Sequence, residues 1–216
     1  MRIDKVILKA VLSTLLAIIV LCGVMVTALV FLYPSTLMEI SYNVGMDSAS
    51  AWFADRAYNQ SDNIYYIGYA TEVAIGAKNP EPEAIEKYGE KFIADEQFPK
   101  YCAEMDESSA EAGITGSYAQ YIYGQVYAAK YRLGKKAEAV EAAFAVNRDS
   151  FPRNNAVVAV LFAALDDGSG GDIETMGLLL DGMQELKTQA TDLPDEDLDY
   201  LNALINLTAK RMAELP

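Results

Sequence analysis

The sequence predicts an all-α protein: one N-terminal transmembrane helix followed by a soluble domain of helical hairpins, either an α-solenoid or an irregular bundle. Three observations predict it. Residues 10–33 read AVLSTLLAIIVLCGVMVTALVFLY, without a charge. Beyond them, apolar residues recur at spacings of three and four amid abundant alanine, with little period-two alternation. Proline, glycine and asparagine stop signals separate these stretches at short intervals.

The apolar run has 24 residues. At about 1.5 Å per residue it spans roughly 36 Å, enough for a hydrocarbon core of about 30 Å with some tilt. Tyr33 and Pro34 mark the far interface, the first suited to that depth and the second unable to continue the helix. Arg2, Lys5 and Lys9 precede the run, and no Lys or Arg lies in 34–54. The positive-inside rule therefore places the N-terminus in the cytoplasm and the remainder outside. The expected organisation is a cytoplasmic stub at 1–9, a transmembrane helix at 10–33, a juxtamembrane connector at 34–46 and an extracytoplasmic domain at 47–216. The run exceeds the usual h-region of a cleaved signal, and the one tidy small-x-small site, Ala49-Ser50-Ala51, lies well beyond it. Cys22 lies mid-run after Ile19-Val20-Leu21, unlike a lipoprotein cysteine. The small-residue pairs Ser13/Ala17 and Gly23/Thr27 are candidates for packing against another membrane helix.

The soluble helices follow in order. One covers 35–42 and stops near Gly45. The next spans 47–58, with Asp47 or Ser48 as N-cap. A third runs 62–77 and ends before Asn79-Pro80. A fourth starts at Glu81-Pro82 and reaches 94, with apolar positions at Ala84, Ile85, Tyr88 and Phe92. Pro99 interrupts the following stretch, leaving a short helix at 100–107. A helix from Ser109 or Thr115 reaches Leu133, with Gly134 as its C-terminal stop. Helices at 135–147 and 153–166 follow. The second carries ten consecutive apolar residues from Ala156 to Leu165, too short to cross a membrane and expected at the centre of the core. A loop at 167–171 precedes helices at 172–188 and 194–214. Asp195, Glu196 and Asp197 sit in the first turn of the last, where the helix dipole favours them.

Charge and composition exclude several functions. The net charge is −14, from 17 basic and 31 acidic residues. Three of the basic residues and one acidic residue precede Pro34, so the remainder carries −16. Such a domain repels nucleic acid and anionic lipid surfaces. There is no histidine, which removes most zinc sites, haem-His ligation and Ser-His or Cys-His hydrolases. The two cysteines, Cys22 and Cys102, lie in different environments and form no intramolecular disulfide; Cys102 is expected to be a buried thiol.

Tyr123, Val126, Gly134 and Ala139, followed by Pro152-Arg153-Asn154-Asn155, give 120–152 a pattern that resembles a tetratricopeptide repeat. They fill the first aromatic position, the leucine position, the turn glycine, the small residue opening the second helix and the terminal proline segment, the last displaced by one. Tyr127, Lys130 and Val146 depart from the pattern, standing where a small residue, an aromatic and an alanine are usual. The resemblance implies helical hairpins and a protein- or peptide-binding scaffold. A second segment, Glu83 to Tyr88, looks like Glu138 to Ala143, but its 55-residue offset is not a multiple of the repeat's 34 residues.

Candidate sites are few. Asp166-Asp167-Gly168-Ser169-Gly170-Gly171-Asp172-Ile173-Glu174 has the outline of a calcium loop. An EF-hand frame starting at Asp166, however, puts Gly168, Gly170 and Gly177 at ligand positions, without side-chain oxygens; Asp172 reads instead as an N-cap. Tyr123, Tyr127 and Tyr131 recur every four residues on one helix face and are the candidate partner contacts, against a reading as core or groove wall. Trp52 and Phe53 are expected to pack in the core, with an aromatic contact near the membrane as the alternative. Asn59-Gln60-Ser61 and Asn206-Leu207-Thr208 match the glycosylation pattern. No phosphate loop, nucleophile elbow or zinc spacing occurs. The sequence thus points to a non-catalytic scaffold or accessory subunit without a cofactor, whose expected partners are the lipid bilayer and another protein in a membrane complex. The alternatives are a carboxylate-based extracytoplasmic enzyme and a small-ligand binder.

Overall fold

The computed structural model describes residues 5–167, 171–189 and 193–214. All regular structure among them is helical, as expected, in eleven helices. Packing divides the chain into two units, Met1–Val73 and Ala74–Pro216, whereas the sequence reading begins the domain at residue 47. Arg2, and residues 168–170 of the expected loop and calcium-like frame, lie outside the described residues.

In the first unit, α1 (Lys5–Leu32) contains the apolar stretch Lys9–Leu32, long and apolar enough to cross a membrane and exposed along its length. Tyr33 interrupts it and Pro34 takes the first position of α2 (Pro34–Asn43), where its missing N–H costs nothing. Gly45, at φ 74°, stops α2: the Gly45 and Met46 amides donate to the carbonyls of Tyr42 and Ser41, closing the turn glycine permits. α3 (Asp47–Ser61) then returns antiparallel along α2, the Ser50 hydroxyl donating to the Met38 carbonyl at 2.9 Å.

Three local expectations fail here. Met46, not Asp47 or Ser48, is the N-cap of α3, and Asp47 lies in its first turn. Asp62 does not start the next helix: it adopts the left-handed conformation at φ 50° and ends α3. α4 (Ile64–Gly76) starts two residues later, where the Asn63 side chain accepts the Tyr65 amide at 3.1 Å. Trp52 is not core either. It is 42% exposed and meets Phe53 edge-on at 5.0 Å, because the buried stripe of α3 is Ser50, Ala51, Ala54 and Ala57. Alanines on that stripe let α2 and α3 lie close, which turns the indole outward.

In the second unit, α5 (Pro82–Ile93) starts at its proline as expected. α6 (Phe98–Glu111) does not break at Pro99, which occupies its first turn, so the helix has 14 residues and extends beyond both ends of the expected 100–107. Asp95 prepares this start by accepting the Gln97 amide at 2.8 Å. α7 (Tyr118–Arg132) is capped by Ser117, later than either expected start. It ends at Gly134 (φ 81°), where the Gly134 and Lys135 amides donate to Tyr131 and Lys130 carbonyls, the stop the sequence predicts. α8 (Lys136–Ala145), α9 (Ala156–Leu165), α10 (Ile173–Gln189) and α11 (Asp195–Glu214) complete it.

The element in the middle is α7, which packs on α5, α6, α8 and α9; α8 also meets α9 and α10, and α10 meets α11. α9 is buried at seven of its ten positions, so the expectation of a core helix holds, with Ala159 and Leu165 half-buried and Phe162 exposed. Cys102 is buried as expected, and burial, with the Asp106 charge second, pushes its thiol up to about 12. Close approach of the central helices depends on glycine. A Cβ at Gly89 of α5 would collide with Cγ2 of Val126, and one at Gly124 of α7 would come within 3.0 Å of the Ala159 Cβ of α9.

Gly89→Ala is therefore expected to destabilise. Its helix propensity gain of about 1 kcal/mol is outweighed by overpacking that costs roughly 1–3 kcal/mol, because Val126 is fully buried. Gly177→Ala in α10 meets only the flexible end of Met212, at 3.8 Å, and is expected to stabilise by up to about 1 kcal/mol. Denaturant midpoints of the two variants, moving in opposite directions, check this.

Candidate functional site

The tyrosine face of α7 does not form a surface. Tyr127 and Tyr131 are 8% and 4% exposed, so as partner contacts they are corrected: both are core. Only Tyr123 is half-buried, and it is held between Phe98 at 5.5 Å and the stacked ring of Tyr127 at 5.9 Å. The reason is the position of α7, packed on by α5, α6, α8 and α9, which encloses the face that carries Tyr127 and Tyr131. Burial raises the Tyr127 phenol to about 12, with Tyr123 and Glu90 adding to it.

Tyr131 ends instead in a polar knot. Its hydroxyl donates to Asp167 at 3.3 Å and Asp172 at 3.2 Å. Asp172 also accepts from Lys136 Nζ at 2.6 Å and from the Thr175 hydroxyl at 2.6 Å, and its other oxygen accepts the Thr175 amide at the start of α10. Asp172 is thus the N-cap the sequence predicts. Burial works against its charge, but Lys136 and Thr175 bring it down to about 2. The knot ties α7, α8 and α10 together, and an ionised, fully occupied carboxylate is the opposite of a general acid. Among the described residues, no group of three or more His, Cys, Asp or Glu could hold a metal.

Among the described residues, a groove lies open on the other face of α7. It has two adjoining hollows, each about 690 Å³, which share Gly124, Gln125, Ala159 and Phe162 as their floor. One hollow extends to Leu207 and Arg211 of α11; the other extends to Ile114 and Tyr121 by the α6–α7 turn and to Arg153 before α9. The small residues at Gly124 and Ala159 set α7 and α9 close and leave the depression above their contact. Phe162 stands out of α9 at 58% exposure, and Leu207 is 50% exposed. Arg132, Arg153 and Arg211 line the hollows against two acids, Asp106 and Asp166. That reverses the balance of the unit, which holds 25 acidic and 13 basic residues. One end is held by a buried amide network: Gln120 Oε1 accepts from Asn147 Nδ2 at 3.0 Å and from the Ala156 amide at 3.2 Å, and Asn155 caps α9 through the Val158 amide at 3.0 Å.

Sequence reasoning missed Phe162, since ten apolar residues in a row show no polar face to mark which side is open. It also missed the arginines, which are spread over 80 residues of sequence from Arg132 to Arg211. On α1, Ser13, Ala17 and Gly23 are exposed, and the Ser13 and Thr27 hydroxyls donate to carbonyls of their own helix, Ala10 at 3.0 Å and Gly23 at 2.8 Å. No protein-family model matches the chain, and no curated protein or solved structure matches it.

The Asp172 depression has a defined pH signature. Its folded value lies below the unfolded one, so its stabilisation is fully present above about pH 4 and lost as pH falls through about 2. Asp172→Asn is expected to be less stable at neutral pH by about 2 kcal/mol. The gap from the unaltered chain should close as pH falls below 4, as measured by urea unfolding across that range.

Proposed function

We propose that the chain is a membrane-anchored, non-catalytic scaffold or accessory subunit that holds a segment of a partner protein in the groove between α7, α9 and α11. The observation that carries this reading is Phe162: a large apolar side chain, exposed in the middle of a largely buried helix, at the floor of an open groove. Aromatic anchors flanked by arginine are what partner surfaces use. The arginine lining suits a segment that combines apolar side chains with acidic ones. The alternate packing of α5 on α7 and α7 on α9, with α8 on α9 and α10, is the arrangement expected of stacked tetratricopeptide-like hairpins, a solenoid reading supported further by Gly134 and Ala139 in their repeat positions. α1 supports membrane anchoring by its length and apolar composition, and the basic residues ahead of it support a cytoplasmic N-terminus. Anchoring confines scaffold and partner near one plane and raises their effective concentration. The small residues Ser13, Ala17, Gly23 and Thr27 offer α1 a close-packing face toward a partner span.

Two outcomes test this reading. A photo-crosslinking residue at position 162, in intact cells, is expected to capture one stoichiometric partner that the same residue at exposed Lys187 does not. Phe162→Glu should abolish co-purification while leaving the unfolding midpoint nearly unchanged; equal capture at both positions would remove the groove from the account. For topology, protease added to unbroken cells is expected to digest the region beyond residue 34, and full protection would reverse the orientation.

A further inference from the structure

The C-terminal end of α1 is held in an unusual way. Its last carbonyls have no partner further along the helix, and α3 reaches back to supply them. Arg56 Nε donates to the Val30 carbonyl at 3.1 Å, and Gln60 Nε2 donates to the Phe31 carbonyl at 2.7 Å. The guanidinium carbon lies 3.9 Å from the Phe31 ring centre and 5.7 Å from that of Trp52. Arg56 is the only Lys or Arg between Lys9 and Lys78.

We propose that Arg56 and Trp52 form a phospholipid-headgroup site where α1 leaves the bilayer, the guanidinium taking the lipid phosphate and the indole lying at headgroup depth. The inference rests on α1 spanning the membrane, as proposed above. Three features carry it. Val30 and Phe31 lie in the last turn of the apolar stretch, so the guanidinium bonded to them is fixed at the boundary of hydrocarbon and headgroups. The Nε edge and the ring contact orient the guanidinium plane, and among the described residues its two terminal nitrogens have no hydrogen-bond or ion-pair partner; that open fork is the geometry that binds phosphate bidentately. Trp52, Phe31 and Tyr33 are all exposed beside it, and tryptophan and tyrosine favour this depth. A helix C-cap alone explains less, since Gln60 caps the adjacent carbonyl without a charge. Glu39, Asp47 and Asp55, near in sequence, weigh against anionic headgroups and point to the phosphate of a zwitterionic lipid.

Trp52 is the only tryptophan of the chain, which makes it a clean reporter. The full chain is reconstituted in phosphatidylcholine vesicles, and flotation is scored first. In the floated fraction, Trp52 fluorescence should be quenched more by lipids brominated high on the acyl chain than by lipids brominated near the chain end, and little by acrylamide in the water. Native mass spectrometry should find a phospholipid retained through detergent by the unaltered chain and largely lost in Arg56→Gln, which keeps a donor for the Val30 carbonyl. Vesicles that float with Trp52 open to acrylamide and untouched by bromine overturn the headgroup site alone. So does undiminished lipid retention in Arg56→Gln. A chain that fails to float overturns the anchor and, with it, this site.

Discussion

The contact that the second unit depends on is the double close approach of α7, to α5 through Gly89 and to α9 through Gly124. A hydrogen in place of a methyl lets Val126 seat fully against the α5 backbone, and the near touch of Gly124 and Ala159 does the same on the opposite side. Helices that meet through small residues bury backbone as well as side chain, and packing at that distance tolerates little added volume. With α7 fixed between two neighbours, its remaining faces have no freedom. Tyr127 and Tyr131 go inward, and the strip above the Gly124–Ala159 contact becomes a groove because glycine and alanine leave it shallowly filled there, while Phe162 stands out beside it.

This explains which parts of the fold were legible in the sequence. Features set by local backbone chemistry were readable: the charge-free span, Pro82 at a helix start, Gly134 at a helix end, Asp172 as a cap. Each depends on residues a few positions apart. Pro99 was misread because proline breaks a helix interior but is welcome in a first turn, and the difference is where the helix begins, which Asp95 decides four residues earlier. Asp62 was misread because an aspartate before an apolar run resembles a cap, while Asn63 next to it performs that role.

Features set by which helix faces which neighbour were not readable. Trp52, Tyr127, Tyr131 and Phe162 are all large apolar side chains at helical spacing, and periodicity alone assigns them alike. The structure turns two of them in and two of them out. What separates them is the neighbour's shape: alanines on α3 draw it onto α2 and expel the indole, and coverage on several flanks encloses the α7 phenols. The groove was less legible still, because its arginines come from the end of α7, the stretch before α9 and the end of α11, and only the tertiary arrangement brings them onto one surface.

The placement of cations then separates structure from recognition. Lysines at the α7–α8 turn hold helices together: Lys130 reaches Glu90 at 2.6 Å, Lys135 reaches Glu86 at 2.8 Å, and Lys136 reaches Asp172 at 2.6 Å. These pairs join α7 and the start of α8 to α5 and α10, and Glu86 and Asp172 are largely shielded from water, where an unmatched carboxylate would be costly. The arginines behave differently. Among the described residues, Arg153 and Arg211 pair with exposed glutamates, at 3.3 and 3.4 Å, contacts worth little because water competes for both partners. A partner carboxylate could replace those glutamates without disturbing the fold, whereas replacing Glu86 or Asp172 would open it. In so acidic a domain, the convergence of weakly paired cations on one groove supports the proposal that an anionic segment docks there.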